Sequence, residues 1–187
     1  MKPKALLLTP GAGSSRDHPS LVAIERAVAP LPVERHDFPY RREGRKAPDR
    51  APKAIADVRE AAARLAERTK AEPAAIVLGG RSFGGRMCSM AVAEGLPAAG
   101  LVLISYPLHP PGKPENLRID HLPQLTVPCL FVSGTRDTFG SPDELDRHTK
   151  AIPGPVTHVW IEGKGHDLKG ADEAIAEHVA GWLSSLA

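Results

Sequence analysis

A chain of 187 residues, 42% hydrophobic and 25% charged, fits one globular domain over 1–187 and excludes the disordered, coiled-coil and membrane classes. A net charge of +2 and 4% aromatic residues give too little basic excess and too few stacking rings for a nucleic-acid groove. Proline is the outlier: 19 residues, about twice ordinary usage, place a fixed φ at many turns and loop starts.

In chain order, the basic head Met-Lys-Pro-Lys runs into an apolar stretch, Ala5–Leu8, that is too short for a signal peptide and reads as a first strand. The glycine turn Gly11-Ala12-Gly13 follows, then a helical stripe at Leu21, Ile24, Val28 and Leu31 and a weaker strand at Val33–Phe38. A loop from Pro39 to Pro52 carries Arg41, Arg42, Arg45, Lys46 and Arg50. It is either a solvated face or the rim of a pocket that attracts an anionic substrate. A second stripe, Ile55, Val58, Ala62 and Leu65, leads to strands at Ala74–Leu78 and Gly100–Ile104. The loop from Tyr106 to Pro128 is rich in proline and holds His109 and His121, expected as solvated loop residues or pocket lining. Strands at Cys129–Val132 and Val156–Ile161 and a stripe at Ile175, Val179, Trp182 and Leu186 complete the chain. Six continuous apolar strands alternating with amphipathic helices predict an α/β fold. Its sheet is mostly parallel, six-stranded and covered by helices on both faces, because parallel strands need crossovers that bury it.

The chemistry concentrates at three strand ends. Ile76-Val77-Leu78-Gly79-Gly80-Arg81-Ser82-Phe83-Gly84-Gly85 runs from strand through Gly-x-Ser-x-Gly into a helix, the context in which a sharp turn projects a serine hydroxyl above the sheet. A serine nucleophile needs a base and a residue to orient it, in the chain order Ser, Asp, His. Asp137 follows the strand at Cys129–Val132 in Gly134-Thr135-Arg136-Asp137, and His166 follows the last strand in Gly163-Lys164-Gly165-His166. The carboxyl ends of parallel strands share one edge, so the three converge. In this reading His166 takes the Ser82 proton, Asp137 fixes the imidazole tautomer, and the hydroxyl attacks an acyl carbonyl. Backbone N–H groups of Phe83 and Ala12 are the expected oxyanion donors. Hydrolysis should fall at acid pH as the imidazole takes a proton.

On the Gly11–Gly13 turn, the Gly80–Arg86 segment, Gly134–Asp137 and Gly165-His166, the chain resembles the α/β-hydrolase superfamily. The likeness is to its small lidless members, similar to dienelactone hydrolase and to bacterial relatives of the hydrolase-like domain of an NSL-complex subunit. Phe38-Pro39-Tyr40, Pro48-Asp49-Arg50 and Tyr106-Pro107-Leu108 fit the same branch. Pro10 stands where many relatives have histidine before the oxyanion-loop glycine, and Ser82 stands where dienelactone hydrolase has cysteine. The resemblance implies a serine hydrolase of small esters or thioesters, with no lid domain and without the two leading strands of the full superfamily sheet.

Competing residues have structural explanations. His158 falls inside a strand, Asp167 adjoins His166 and cannot face its ring, and Asp143 reads as support for a helix N-terminus. His18 is a further histidine that could compete for the base role. Gly11-Ala12-Gly13-Ser14-Ser15-Arg16 with Glu34 partly matches a dinucleotide fingerprint but lacks the third glycine. A non-catalytic binding or scaffold protein on a hydrolase fold is the alternative function. Cys88 and Cys129 lie in apolar sequence without metal spacing and read as buried reduced thiols, giving a cytoplasmic expectation. The expectation is therefore a small-molecule acyl substrate, no metal or cofactor, no nucleic-acid or membrane partner, and a monomer or homodimer.

Overall fold

The computed structural model describes residues 2–186. Among them six strands, β1 (Ala5–Thr9), β2 (Val33–Arg35), β3 (Ile76–Arg81), β4 (Gly100–Ile104), β5 (Cys129–Gly134) and β6 (Val156–Ile161), form one sheet in the order β2-β1-β3-β4-β5-β6. Every neighbouring pair is parallel. The sheet is thus wholly parallel, where the sequence predicts a mostly parallel one, and β2 is shorter than its apolar run suggests.

Strand side chains alternate faces, and the core divides accordingly. Leu7, Leu78, Leu103 and Phe131 pack on one side; Leu6, Val77, Val102 and Leu130, one residue away in each strand, pack on the other. The first layer is closed by α3 (Ala51–Thr69) and α4 (Phe83–Ala93), the second by α1 (Pro19–Ala27) and α6 (Asp172–Ser185). Burying each such apolar side chain contributes about 1.5–3 kcal/mol, and all eight named are fully buried.

The predicted stripes carry these layers. Ile55, Val58, Ala62 and Leu65 form the buried face of α3, and Ile175, Val179 and Trp182 that of α6. In α1 only Leu21 and Ile24 lie within the helix; Val28 caps it and Leu31 follows it, yet both pack against the same layer. Two short helices complete the set, α2 (Pro39–Arg42) and α5 (Pro142–Thr149). A reciprocal Ser141–Glu144 capping box starts α5, and Asp143 lies in its first turn as expected.

The proline-rich segment after β4 folds down instead of rising as a lid: Tyr106, Leu108, Leu122 and Leu125 are buried. His109 is buried and His121 half-buried, which corrects the expectation of solvated loop histidines. His121 Nε2 lies 2.8 Å from Ser89 Oγ on α4, and burial, with the nearby Arg86 charge, pushes its pKa down to about 4. Among the described residues no helix is long and apolar enough to cross a membrane. Both cysteines are free and buried, and burial raises each thiol pKa to about 12.

Candidate active site

In the order β2-β1-β3 the chain passes from β1 to one neighbour and later to the other, so the direction of winding changes beside β1. The crevice beyond the carboxyl ends of strands at such a switch point is the natural ligand position. Ser82 stands there, at the carboxyl end of β3.

Ser82 has φ 45° and ψ −114°, a rarely populated conformation for a residue with a side chain. The surroundings hold it: its N–H donates to the Ile104 carbonyl at 2.8 Å, and its carbonyl accepts from the Arg86 N–H at 3.0 Å. Small residues are obligatory beside it. A Cβ at Gly80 or Gly84 would lie under 3.0 Å from the end of β1, at the Thr9 carbonyl in one case and the Pro10 carbonyl in the other. The Gly-x-Ser-x-Gly spacing therefore lets the turn sit against β1.

The imidazole of His166 joins the two other expected residues. Its Nε2 lies 2.8 Å from Ser82 Oγ, and its Nδ1 lies 2.9 and 3.0 Å from the Asp137 carboxylate oxygens. An ionised carboxylate only accepts, so Nδ1 carries the proton and Nε2 offers its lone pair to the serine hydroxyl. Asp137 is almost fully buried, and its Oδ1 also accepts the Phe139 N–H at 2.8 Å. The turns bearing Asp137 and His166 meet because Gly134 has no side chain: a Cβ there would overlap the Lys164 carbonyl.

Residues not singled out from sequence complete the support. The Phe139 ring stacks on His166 with centroids 3.8 Å apart. Arg81, buried beneath the site, donates to the Asp167 carbonyl at 2.9 Å and to the His166 carbonyl at 3.5 Å. Burial lowers the Arg81 pKa, opposed by Asp172, Asp167 and Asp137. Asp167 itself is on the surface and accepts the Lys169 N–H, consistent with its exclusion from the relay. The strand histidine His158 stacks on Trp160 and lies 3.0 Å from Thr149 Oγ1. His18 caps α1 through the Ser20 N–H. The glycine turn after β1 does not open a helix, since α1 starts only at Pro19, and Glu34 pairs with Arg68 at 3.1 Å. The dinucleotide pattern therefore has no matching context.

Both expected oxyanion donors border the same cleft as Ser82 and His166, a hollow of about 600 Å³. Phe83 is the first residue of α4, where a backbone N–H has no partner within the helix and the helix dipole favours negative charge. The Ala12 carbonyl accepts from Tyr40 Oη at 2.8 Å, which fixes that peptide. Neither the Phe83 nor the Ala12 N–H donates to another group among the described residues. A larger hollow of about 1170 Å³ lies along β2, away from Ser82. It is lined mostly by charges already paired, among them Arg35 with Asp17 and Glu25.

Of the two readings of the basic loop, the solvated face holds for its cations: Arg42, Arg45, Lys46 and Arg50 are exposed. Pro48, Asp49 and Ala51 do border the cleft. Arg42, however, pairs with Asp57 at 2.9 Å, Arg45 pairs with Asp49 at 2.7 Å, and Arg41, Lys46 and Arg50 do not line it. The cations that do line it are Arg86, one turn along α4, and Arg118, in the loop after β4. Among the described residues no group of three or more His, Cys, Asp or Glu side chains is arranged to hold a metal ion.

Solved structures similar to the chain share its fold. Est1E from Butyrivibrio proteoclasticus is 16% identical, with a TM-score of 0.75, and the match covers 100% of this chain and 89% of that one. An alpha-beta serine hydrolase homologue from Coxiella burnetii is 15% identical, with a TM-score of 0.75 over 98% and 86%. The esterase domain of a Rhodothermus marinus protein is 17% identical, with a TM-score of 0.72 over 97% and 87%. A family model described as an alpha/beta hydrolase domain matches residues 2–182. With that match spanning nearly the whole sequence, the chain belongs to the alpha/beta hydrolase domain family.

Proposed function

We propose that this protein is a serine hydrolase that cleaves a small ester or thioester through an acyl-enzyme, with Ser82 as nucleophile, His166 as base and Asp137 as the residue orienting it. The observation that carries the reading is the continuous relay from the Asp137 carboxylate through both imidazole nitrogens to Ser82 Oγ, each step 2.8–3.0 Å. Relay geometry of this kind suits proton removal from the hydroxyl as it attacks the carbonyl carbon. His166 Nε2 then returns the proton to the leaving alkoxide or thiolate, and the acyl group stays on Ser82. Water repeats the sequence: His166 removes its proton, the oxygen attacks the acyl carbon, and Ser82 leaves with the proton. The N–H groups of Phe83 and Ala12 bind the oxyanion of each tetrahedral intermediate. Similar folds named as an esterase domain and as lipolytic enzymes support the ester class.

Steady-state hydrolysis of 4-nitrophenyl acetate by wild type and Ser82→Ala tests this reading. The expected result is saturable turnover that falls at least about 10³-fold in the variant. Turnover that survives the substitution would place the nucleophile elsewhere, and a wild type without turnover on oxygen esters or thioesters would favour a binding protein on this fold.

A further inference from the structure

Two arginines stand in the cleft without a counter-charge. Arg86 follows Ser82 by one helical turn, which places both on one face of α4. Arg118 is presented by a fixed backbone: its N–H donates to the Leu108 carbonyl at 2.8 Å, and its carbonyl accepts from the buried Tyr106 hydroxyl at 2.7 Å. Both line the same hollow as Ser82 and His166.

Elsewhere Arg35, Arg42, Arg45 and Arg68 reach carboxylates, and Arg16, Arg50, Arg136 and Arg147, which reach none, are exposed to solvent. Among the described residues Arg86 and Arg118 reach none within 4.0 Å, and the Arg86 Nε is buried without a hydrogen-bond partner. Asp49, the carboxylate bordering the cleft, is already engaged by the Tyr40 N–H, Arg45 and Lys53. Burial, and next the Arg86 charge, lower the Arg118 pKa, so the two cations repel in a partly desolvated place. The α4 N-terminus adds positive potential on the same side. Folding tolerates this arrangement, but an incoming anion would offset the repulsion between the two cations and meet the α4 N-terminus on the same side.

We propose that Arg86 and Arg118 form a carboxylate-binding subsite, so that the ester cleaved at Ser82 carries a second, charged group held by the two guanidiniums. The subsite rests on the serine-hydrolase reading and gives it a substrate class: anionic carboxylic esters, in preference to neutral ones. Planar guanidinium forks match a carboxylate through paired N–H···O bonds. Held at that point, the substrate would present its ester carbonyl along the cleft to Ser82 and to the N–H groups of Phe83 and Ala12.

Two matched ester pairs test the subsite from either side of the scissile bond. The acyl-side pair is the 4-nitrophenyl monoester of adipic acid against its methyl ester. The leaving-group pair is 4-acetoxybenzoate against methyl 4-acetoxybenzoate. Each kcat/KM is divided by the rate of hydroxide-catalysed hydrolysis, which removes intrinsic reactivity. The expected result is a preference of about tenfold or more for the anionic member of at least one pair, the scale of a charged hydrogen bond. That ratio should collapse towards unity in Arg118→Met and in Arg86→Met and recover in part in Arg118→Lys. Equal hydrolysis within both pairs, or a preference that survives both methionine substitutions, would overturn the subsite and leave the serine chemistry standing. Failure to cleave any of the four esters would overturn the hydrolase reading and the subsite with it.

Discussion

In the proposed mechanism Ser82, Asp137 and His166 divide their duties by environment. Asp137 is almost fully buried and accepts from both His166 and the Phe139 N–H, so its lone pairs are committed to orientation. Replacing it with asparagine keeps the shape but presents an amide that can donate to Nδ1, which favours the tautomer with the proton on Nε2. In Asp137→Asn, kcat should fall by about 10⁴-fold with little change in thermal midpoint, as the wrong tautomer costs in serine proteases. Stopped-assay kinetics together with a melting curve separate that outcome from unfolding. These three residues were legible because each follows an apolar strand and lies within three residues of a glycine. Phe139 and Arg81 were not, because stacking on an imidazole and donating to two loop carbonyls leave no local pattern. Arg86 was within reach: a cation four residues after a serine that begins a helix must share its face.

At the scale of elements, the site depends on how closely the β3–α4 turn approaches the end of β1. Gly84 has backbone from Thr9 and Pro10 where its Cβ would be. Gly84→Ala must therefore push the β1 end away, and with it the Ala12 N–H. The expected cost is about 1–3 kcal/mol of stability, as for overpacking generally. A fall in kcat should accompany it, because the Ala12 N–H moves away from the oxyanion. Denaturant titration and ester kinetics on the same preparation check both effects. The strand-to-helix context made this turn readable from residues alone. The loop after β4 was read less well than the basic one, because polar residues in a segment without periodicity look solvated. His121 instead packs on α4 through Ser89, and Arg42 and Arg45 answer Asp57 and Asp49. Such partners are distant or unpatterned in sequence, so composition gave the loop's charge but not its direction.

For the whole molecule, the alternation of strands and helices implied a parallel sheet, whereas the strand order that creates the crevice beside β1 depends on how the crossovers pack. The assembled fold also carries a pH dependence. The folded state keeps His121 neutral down to about pH 4, while an unfolded histidine takes a proton near about 6.5. Unfolding therefore takes up a proton between those values, and stability declines as pH falls through that window. Burial lowers the His18 and His158 pKa values in the same direction. Asp57 joins in more acidic solution: burial works against its ionised form, but hydrogen bonds from His36 and Arg42 hold its pKa below the ordinary value. The melting temperature should thus be lower at pH 5 than at pH 7, and His121→Gln should flatten part of that slope. A slope equal to wild type in the variant would contradict the assignment to His121.

In the proposed chemistry one serine, Ser82, activated by the relay, is the nucleophile. Treatment with a fluorophosphonate followed by peptide mass spectrometry measures it most directly. A single adduct is expected on the peptide containing Ser82, absent in Ser82→Ala and formed much more slowly in His166→Ala. An adduct on a different residue, or an unmodified wild type under conditions that label other serine hydrolases, would contradict it.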